Sequence, residues 1–316
     1  MADAAPLHQA LARVPEGGEA CWIYASDGVR LRIAHWNVTA ARGTVFLLPG
    51  RTEYIEKYGD AVSAMTAANY ETLVIDWRGQ GLSDRLLDDP VKGYVAAMGD
   101  FQRDLDAMIA QAEAMRAPKP WFVLSHSMGG AIALRHLIDA KTPFKAAAFS
   151  APMLGIKLPP VLGPLVRVLA KFLVKTPLKS AYAPMTGPVT YVLKAGFADN
   201  LLTRSQDMWA MMGAHLTQVP ELTVSGATIG WLAAAFEECD ALAALPSPDL
   251  PCICSLGLNE RVVESQPIRD RMAAWPRGTL IEVQDSEHEV MMSPQFERDA
   301  FFAQTIALFE ANRPAG

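Results

Sequence analysis

The chain opens on two β-branched and aromatic runs, residues 21–26 and 29–36, separated by Asp27-Gly28. Asp-Gly suits a tight hairpin turn because the central positions of that turn need positive φ, so an antiparallel hairpin is expected first. Beyond Arg42-Gly43 the pattern changes to short, almost wholly apolar runs at 44–48, 71–75, 121–124, 145–149, 252–256 and 279–283. Strands covered by helices on both faces lack polar alternation and look like this. Segments of helical periodicity, residues 57–69, 101–115, 129–140, 268–275 and 295–310, alternate with them. The expected fold class is α/β: a mostly parallel, eight-stranded sheet flanked by helices.

The alternation breaks once, between residues 151 and 250, a stretch far too long for an ordinary connection between a strand and a helix. It is read as an inserted helical cap or lid. The expected organisation is therefore a core over 1–150, the cap over 151–250, and the rest of the core over 251–316, with a frayed tail at 313–316.

Composition narrows the function. With 316 residues, 51% hydrophobic and 20% charged, the chain can bury a large core and is not intrinsically disordered. A net charge of -6 argues against a nucleic-acid partner, whose phosphates need a basic surface. Cys21, Cys239, Cys252 and Cys254 show no metal-binding spacing and read as buried thiols in a reducing compartment. Residues 1–20 lack the apolar core of a signal peptide, and Arg167 and Lys171 interrupt the apolar stretch 161–174. A soluble, cytoplasmic protein is expected. No cofactor and no metal are expected, since there is no phosphate-binding loop, no zinc-protease motif and no carboxylate cluster in the sequence; Arg78-Gly79-Gln80-Gly81 has Asp84 where a dinucleotide loop has its third Gly.

The chemistry concentrates at Ser125-His126-Ser127-Met128-Gly129-Gly130, which follows the run 121–124 and precedes a helical segment. That is the setting of a nucleophile elbow, a tight strand-to-helix turn that projects one hydroxyl above the sheet, and Ser127 occupies its centre. A serine nucleophile needs a base and an acid, which follow it in the order acid then His on such folds. Of His136, His215 and His288, the first falls in the next helix and the second in the cap. His288 lies in a loop after the last strand and is the expected base. Glu260, just past the run 252–256 and its turn at Gly257, is the expected acid, with Asp285 and Glu237 in reserve. Two backbone amides are needed for the oxyanion. Met128 supplies one; Arg51 of Pro49-Gly50-Arg51 is the candidate for the other, since Pro49 has no N–H.

Together with Pro49-Gly50-Arg51-Thr52-Glu53, Lys57-Tyr58 and the run Asp76-Trp77-Arg78-Gly79-Gln80-Gly81-Leu82-Ser83, this elbow resembles the lysophospholipase and monoacylglycerol lipase branch of the α/β-hydrolases, related to the serine aminopeptidases. The likeness covers the core on both sides of the insertion and fades in the cap. Pro49-Gly50 stands where the family has His-Gly, Ser125 where it has Gly, and Glu260 where it has Asp. The resemblance implies an α/β-hydrolase fold and gives Ser127, Glu260 and His288 the triad roles, with Arg51 and Met128 at the oxyanion hole. Glu53 and Asp76 match positions expected to organise loops.

Between residues 151 and 198 there are six basic residues and no acid, against -6 for the whole chain. Arg167, Lys171 and Lys175 recur every four residues beside Leu165, Val168, Leu169, Phe172 and Leu173, an amphipathic helix that either lies on an anionic membrane or roofs the site with its apolar side. Met153, Met185, Met208, Met211 and Met212 suit a flexible acyl chain, although methionines at helical spacing are more often ordinary core. The expected function is a serine carboxylester hydrolase for a single-acyl-chain lipid, with peripheral membrane contact through the cap. The alternatives are a short-chain esterase, an aminopeptidase or amidase that holds a substrate ammonium on Glu237 and Glu238, and a non-catalytic ligand-binding homologue.

Overall fold

The computed structural model describes residues 2–139, 142–161 and 163–314. The expected ends of the helix at 140 and of the tail at 315–316, and residue 162 of the apolar stretch, lie outside them. After a turn of helix, α1 (Gln9–Ala12), β1 (Gly18–Tyr24) and β2 (Arg30–Trp36) form the expected antiparallel hairpin, with Gly28 at φ +85° in its turn. β3 (Thr44–Leu48) leads through a 3₁₀ turn at Ile55–Tyr58 into α2 (Gly59–Ala67), and β4 (Glu71–Asp76) is followed by α3 (Asp100–Ala114). β5 (Trp121–His126), α4 (Met128–Asp139) and β6 (Phe144–Ser150) complete the first stretch of sheet.

Between β6 and β7 the chain is helical, with α5 (Gly163–Leu173), α6 (Tyr191–Lys194), α7 (Gln206–Gln218) and α8 (Ile229–Ala244) joined by short 3₁₀ turns. β7 (Cys252–Gly257), α9 (Ser265–Ala273), β8 (Gly278–Val283) and α10 (Gln295–Ala311) follow. The single sheet has the order β1-β2-β4-β3-β5-β6-β7-β8. β1 and β2 run antiparallel to their neighbours, and the other six strands are parallel.

The strands lack polar alternation because each face of the sheet meets its own apolar layer. In β3, Phe46 and Leu48 belong to the core under α3, α4 and α8, while Val45 and Leu47 belong to the core under α2 and α10. β8 departs from the expected doubly buried strand: it is the edge, and its Thr279 and Glu282 are exposed. The helix expected from residue 57 starts as the 3₁₀ turn, whose Ile55 amide is held by Asp76 at 2.8 Å. Of the four cysteines, all free thiols, Cys21 is only half-buried.

α8 lies on α4, and Arg135 reaches Glu238 at 2.8 Å to join them. α5 in turn lies on α8 through buried Ala170, the Arg167 guanidinium 4.4 Å above the Phe236 ring, and a 3.1 Å ion pair from Arg167 to Asp240. No helix among the described residues is long and apolar enough to cross a membrane.

Candidate active site

β5 delivers Ser127 to the carboxyl end of the sheet. Its φ of +49° is unusual for a residue with a Cβ and marks a sharp turn. The turn is held by Ser127 N–H donating to the Ser150 carbonyl at 3.0 Å, and by the Ser127 carbonyl accepting from Gly130 and Met153 at 2.9 and 2.8 Å. α4 then starts so close to β3 that a Cβ on Gly129 would overlap the Leu48 and Pro49 carbonyl oxygens, and one on Gly130 would press into Pro152. Small residues are therefore a steric requirement after Ser127. Ser125, two positions before it, is fully buried in the strand, with its Oγ 3.5 Å from the Ala148 carbonyl.

His288 comes from the loop after β8 and reaches Ser127 Oγ with Nε2 at 3.0 Å; its Nδ1 lies 2.7 Å from Glu260 Oε2. Glu260 stands on the turn after β7, where Gly257 lets the 286–287 backbone pass: a Cβ there would overlap both carbonyl oxygens. The other oxygen of Glu260 accepts from the Val262 and Val263 amides at 2.6 and 3.0 Å. Burial disfavours the Glu260 charge, but His288 and those two amides hold its carboxyl below the usual range. Burial likewise pushes the His288 imidazolium down, and the Glu260 carboxylate outweighs it, so the His288 pKa lies above its ordinary value. The reserve acids Asp285 and Glu237 are both exposed and neither bonds the imidazole. His136 lies in α4, and His215 of α7 donates from Nε2 to the Leu11 carbonyl at 2.8 Å.

Hydrogen bonds to its surroundings hold the loop after β3 in place. The Pro49 carbonyl accepts from Trp77 Nε1 at 2.8 Å, Gly50 N–H goes to Glu53, the Gly50 carbonyl accepts from Gln80 Nε2 at 3.0 Å, and Thr52 N–H goes to Gln80 Oε1 at 3.0 Å. The Arg51 amide is left without an acceptor among the described residues, as is the amide of Met128, the first residue of α4. A helix N-terminus presents such unpaired donors, and its dipole favours negative charge beside them. The two amides can receive an oxyanion formed beside Ser127.

Glu53 and Asp76 organise loops, as the resemblance implies. Asp76 is fully buried: one oxygen takes the Ile55 amide, and the other takes Leu82 N–H at 2.8 Å and Arg32 Nε at 2.7 Å. Glu53 accepts from the Gly50 amide, from the Tyr58 hydroxyl and from Lys57 Nζ at 2.6 Å; Lys57 also donates to Glu289 at 2.7 Å. Burial opposes the Glu53 charge, yet Lys57 and its other partners hold the carboxyl down to about 2. Burial pushes His126, next to Ser127, down to about 3, and it is therefore neutral; its Nδ1 lies 3.0 Å from the Ser150 carbonyl.

Sequence reasoning missed this cage of Lys57, His126 and Glu289. The four-residue spacing of Glu53 and Lys57 was its only local signal. Ligand atoms of Glu53, His126 and Glu289 lie within 4.8 Å of one another, a set that could hold a cation. Lys57, bonded to both carboxylates, already supplies the positive charge there.

Ser127 and His288 open into a cavity of about 360 Å³. Its wall is mostly apolar, with Met153, Leu158, Leu216, Trp231 and Val263 among its residues. Of the methionines singled out, Met153, Met185 and Met212 line it; Met208 and Met211 are ordinary core. Glu237 and Glu238 do not line it, and Glu238 is paired with Arg135, which removes the basis for the ammonium site expected there. The expectation that the apolar side of α5 roofs the site is also corrected. Only Val166 of that helix reaches the cavity, while Leu165, Val168 and Phe172 face outward, 55%, 52% and 66% exposed. The Arg51 side chain is part of the cavity wall.

Comparisons with known proteins agree with this architecture. Residues 39–295 match the family described as "Serine aminopeptidase, S33". The chain is 29% identical over 300 residues to lysophospholipase L2 of Escherichia coli K12, covering 89% of this chain and 83% of that protein. Among solved structures, a soluble variant of monoglyceride lipase from Saccharomyces cerevisiae superposes with a TM-score of 0.72 at 17% identity, covering 93% of this chain and 95% of that one. A carboxyl esterase from Bacillus coagulans gives 0.74 at 14% identity, covering 94% and 99%.

Proposed function

Since the chain belongs to the serine aminopeptidase S33 family and has the α/β-hydrolase fold, we propose that it is a serine carboxylester hydrolase of single-acyl-chain lipids, lysophospholipids or monoacylglycerols. The observation that carries this reading is the Ser127–His288–Glu260 chain of hydrogen bonds opening into a largely apolar cavity. The names of the relatives, lysophospholipase and monoglyceride lipase, support the same substrate class.

In this mechanism His288 Nε2 takes the Ser127 proton as Oγ attacks the ester carbonyl, and the oxyanion accepts from the Arg51 and Met128 amides. Collapse breaks the ester C–O bond, and the imidazolium gives its proton to the departing glycerol oxygen. A water then loses a proton to His288 as it attacks the acyl-enzyme; the bond from Ser127 Oγ to the acyl carbon breaks, the imidazolium returns its proton to Oγ, and the fatty acid leaves. Glu260 keeps the Nδ1 proton in place and stabilises the imidazolium. Residues 151–250 act as a lid over the core formed by 1–150 and 251–316.

The outward apolar face of α5, bordered by Lys171 and Lys175, lies on the surface of an anionic membrane and brings the cavity to its substrate. Arg167 is not part of that contact, because it is turned inward to Asp240 and Phe236. An aminopeptidase would need a free carboxylate at the cavity wall for the substrate ammonium. The acids that line it, Glu53 and Glu289, are both bonded to Lys57, which leaves neither free for a substrate ammonium.

The test is fatty-acid release from monoacylglycerols, lysophospholipids, short-chain esters and aminoacyl anilides. Long-chain lipid turnover that disappears in Ser127→Ala is expected. Turnover of short esters or anilides alone, or activity that survives Ser127→Ala, overturns the reading.

A further inference from the structure

The Arg51 side chain has no role in the chemistry above, yet it sits in the wall of the same cavity as Ser127 and His288. It rises from the oxyanion loop toward the lid. Nη2 donates to the Ser225 carbonyl at 2.6 Å, and the guanidinium carbon lies 4.8 Å from the centroid of the Trp231 ring. Gly93 makes room for it: a Cβ at that position would overlap Nη2. These contacts fix the plane of the guanidinium without neutralising it.

No carboxylate among the described residues lies within ion-pair distance of Arg51, and Nε is buried with no partner. Burial lowers its pKa only to about 10, so it is cationic at neutral pH. The other cation of the wall, Lys57, is shared between two glutamates. Arg51 is therefore an oriented, partly desolvated positive charge that lacks a counter-charge from the protein. Such a charge is costly in isolation and is relieved by an anionic ligand; planar guanidinium suits phosphate, which it can engage through two donors.

We propose that the Arg51 guanidinium is the head-group subsite, which receives the phosphodiester of a lysophospholipid and makes that class, rather than neutral monoacylglycerols, the preferred substrate. The inference rests on the lipid-hydrolase reading. One residue would then serve both ends of the glycerol: its amide meets the oxyanion of the ester, and its guanidinium meets the phosphate a few bonds along the same backbone. The Trp231 ring, its centroid 4.8 Å from the guanidinium carbon, helps to hold the guanidinium in place.

The test uses binding, so that it does not depend on turnover. A non-hydrolysable ether analogue of a lysophospholipid and a 1-O-alkylglycerol of the same chain length are titrated into the full-length protein, Arg51→Met and Arg51→Lys. The protein is expected to prefer the phospholipid analogue. In Arg51→Met the ratio of the two affinities should fall about 30-fold, because a charge-assisted contact to a polar group is lost selectively; Arg51→Lys should retain part of it. A ratio unchanged in Arg51→Met, or equal loss for both ligands, overturns the proposal, the second outcome showing a role in holding the lid. Binding of inorganic phosphate at Arg51 with no preference between the two lipids also overturns it, assigning the site to free phosphate. Failure of the parent hydrolase reading would be seen separately, as no fatty-acid release from the corresponding esters.

Discussion

His288 is enclosed between a carboxylate and a hydroxyl, and its two ring nitrogens answer different needs: Nδ1 faces Glu260 at 2.7 Å and Nε2 faces Ser127 at 3.0 Å. Its raised pKa has a definite kinetic sign. The base must be neutral to act, so kcat/KM should rise with pH through a value above the ordinary histidine value of 6.5 and fall away as acid protonates the ring. Glu260→Gln removes the charge that raises it. The acid limb should move to lower pH and kcat should drop about 10³-fold; stopped-time assays between pH 5 and 9 read both, and a limb that stays in place contradicts the assigned pairing. That Ser127, His288 and Glu260 meet was legible in the sequence because each follows a strand, where chain order and turn residues restrict the choice. The Lys57, Glu53, Glu289 and His126 cage was not. Its members come from the segment after β3, the end of β5 and the loop after β8, with Lys57 and Glu289 232 residues apart, and beyond the Glu53–Lys57 spacing no local pattern links them.

At the scale of elements, the elbow and the oxyanion loop depend on close backbone approach. Gly129→Ala would force α4 away from the Leu48 and Pro49 carbonyls, with a loss of about 2 kcal/mol in denaturant unfolding and a misplaced Met128 amide. Turnover should fall more than stability alone explains; a variant with unchanged unfolding midpoint and rate would refute the steric account. Glu53→Gln tests the loop. Because its carboxyl is held at about 2, below the unfolded value near 4.5, the charged group contributes stability that is fully present above pH 4.5 and is lost as pH falls toward 2. The gap between the parent protein and Glu53→Gln, about 3 kcal/mol at neutral pH for a broken buried pair, should narrow steadily below pH 4.5. A gap that does not change with pH excludes the ion pair as its source.

Strand existence was readable from the apolar runs, and 44–48 matches β3 to the residue. Strand ends were less so. β5 runs on through Ser125 and His126 because their backbones still pair with Phe149 and Ser150, although their side chains are polar. Edge position was invisible too: β8 has the composition of a buried strand, and only the sheet order leaves one side uncovered.

For the whole molecule, periodicity revealed that α5 has an apolar side but not which way it faces. Direction is set by packing: Ala170 and Arg167 dock on α8, which turns Leu165, Val168 and Phe172 outward. Phe172→Ser with Lys171→Glu and Lys175→Glu should weaken co-sedimentation with anionic vesicles at least tenfold, since each basic residue near such a surface contributes about 1 kcal/mol. Hydrolysis of a water-soluble ester should be unaffected; equal vesicle binding by the parent and the triple variant removes the membrane contact. The central claim, that lipid-ester chemistry runs through Ser127 under this lid, is met most directly by mass spectrometry of the protein after reaction with a long-chain alkyl fluorophosphonate. The account predicts one covalent adduct, on the peptide that contains Ser127, forming much more slowly in Glu260→Gln. No adduct, or an adduct on another residue at the same rate in both proteins, would contradict it.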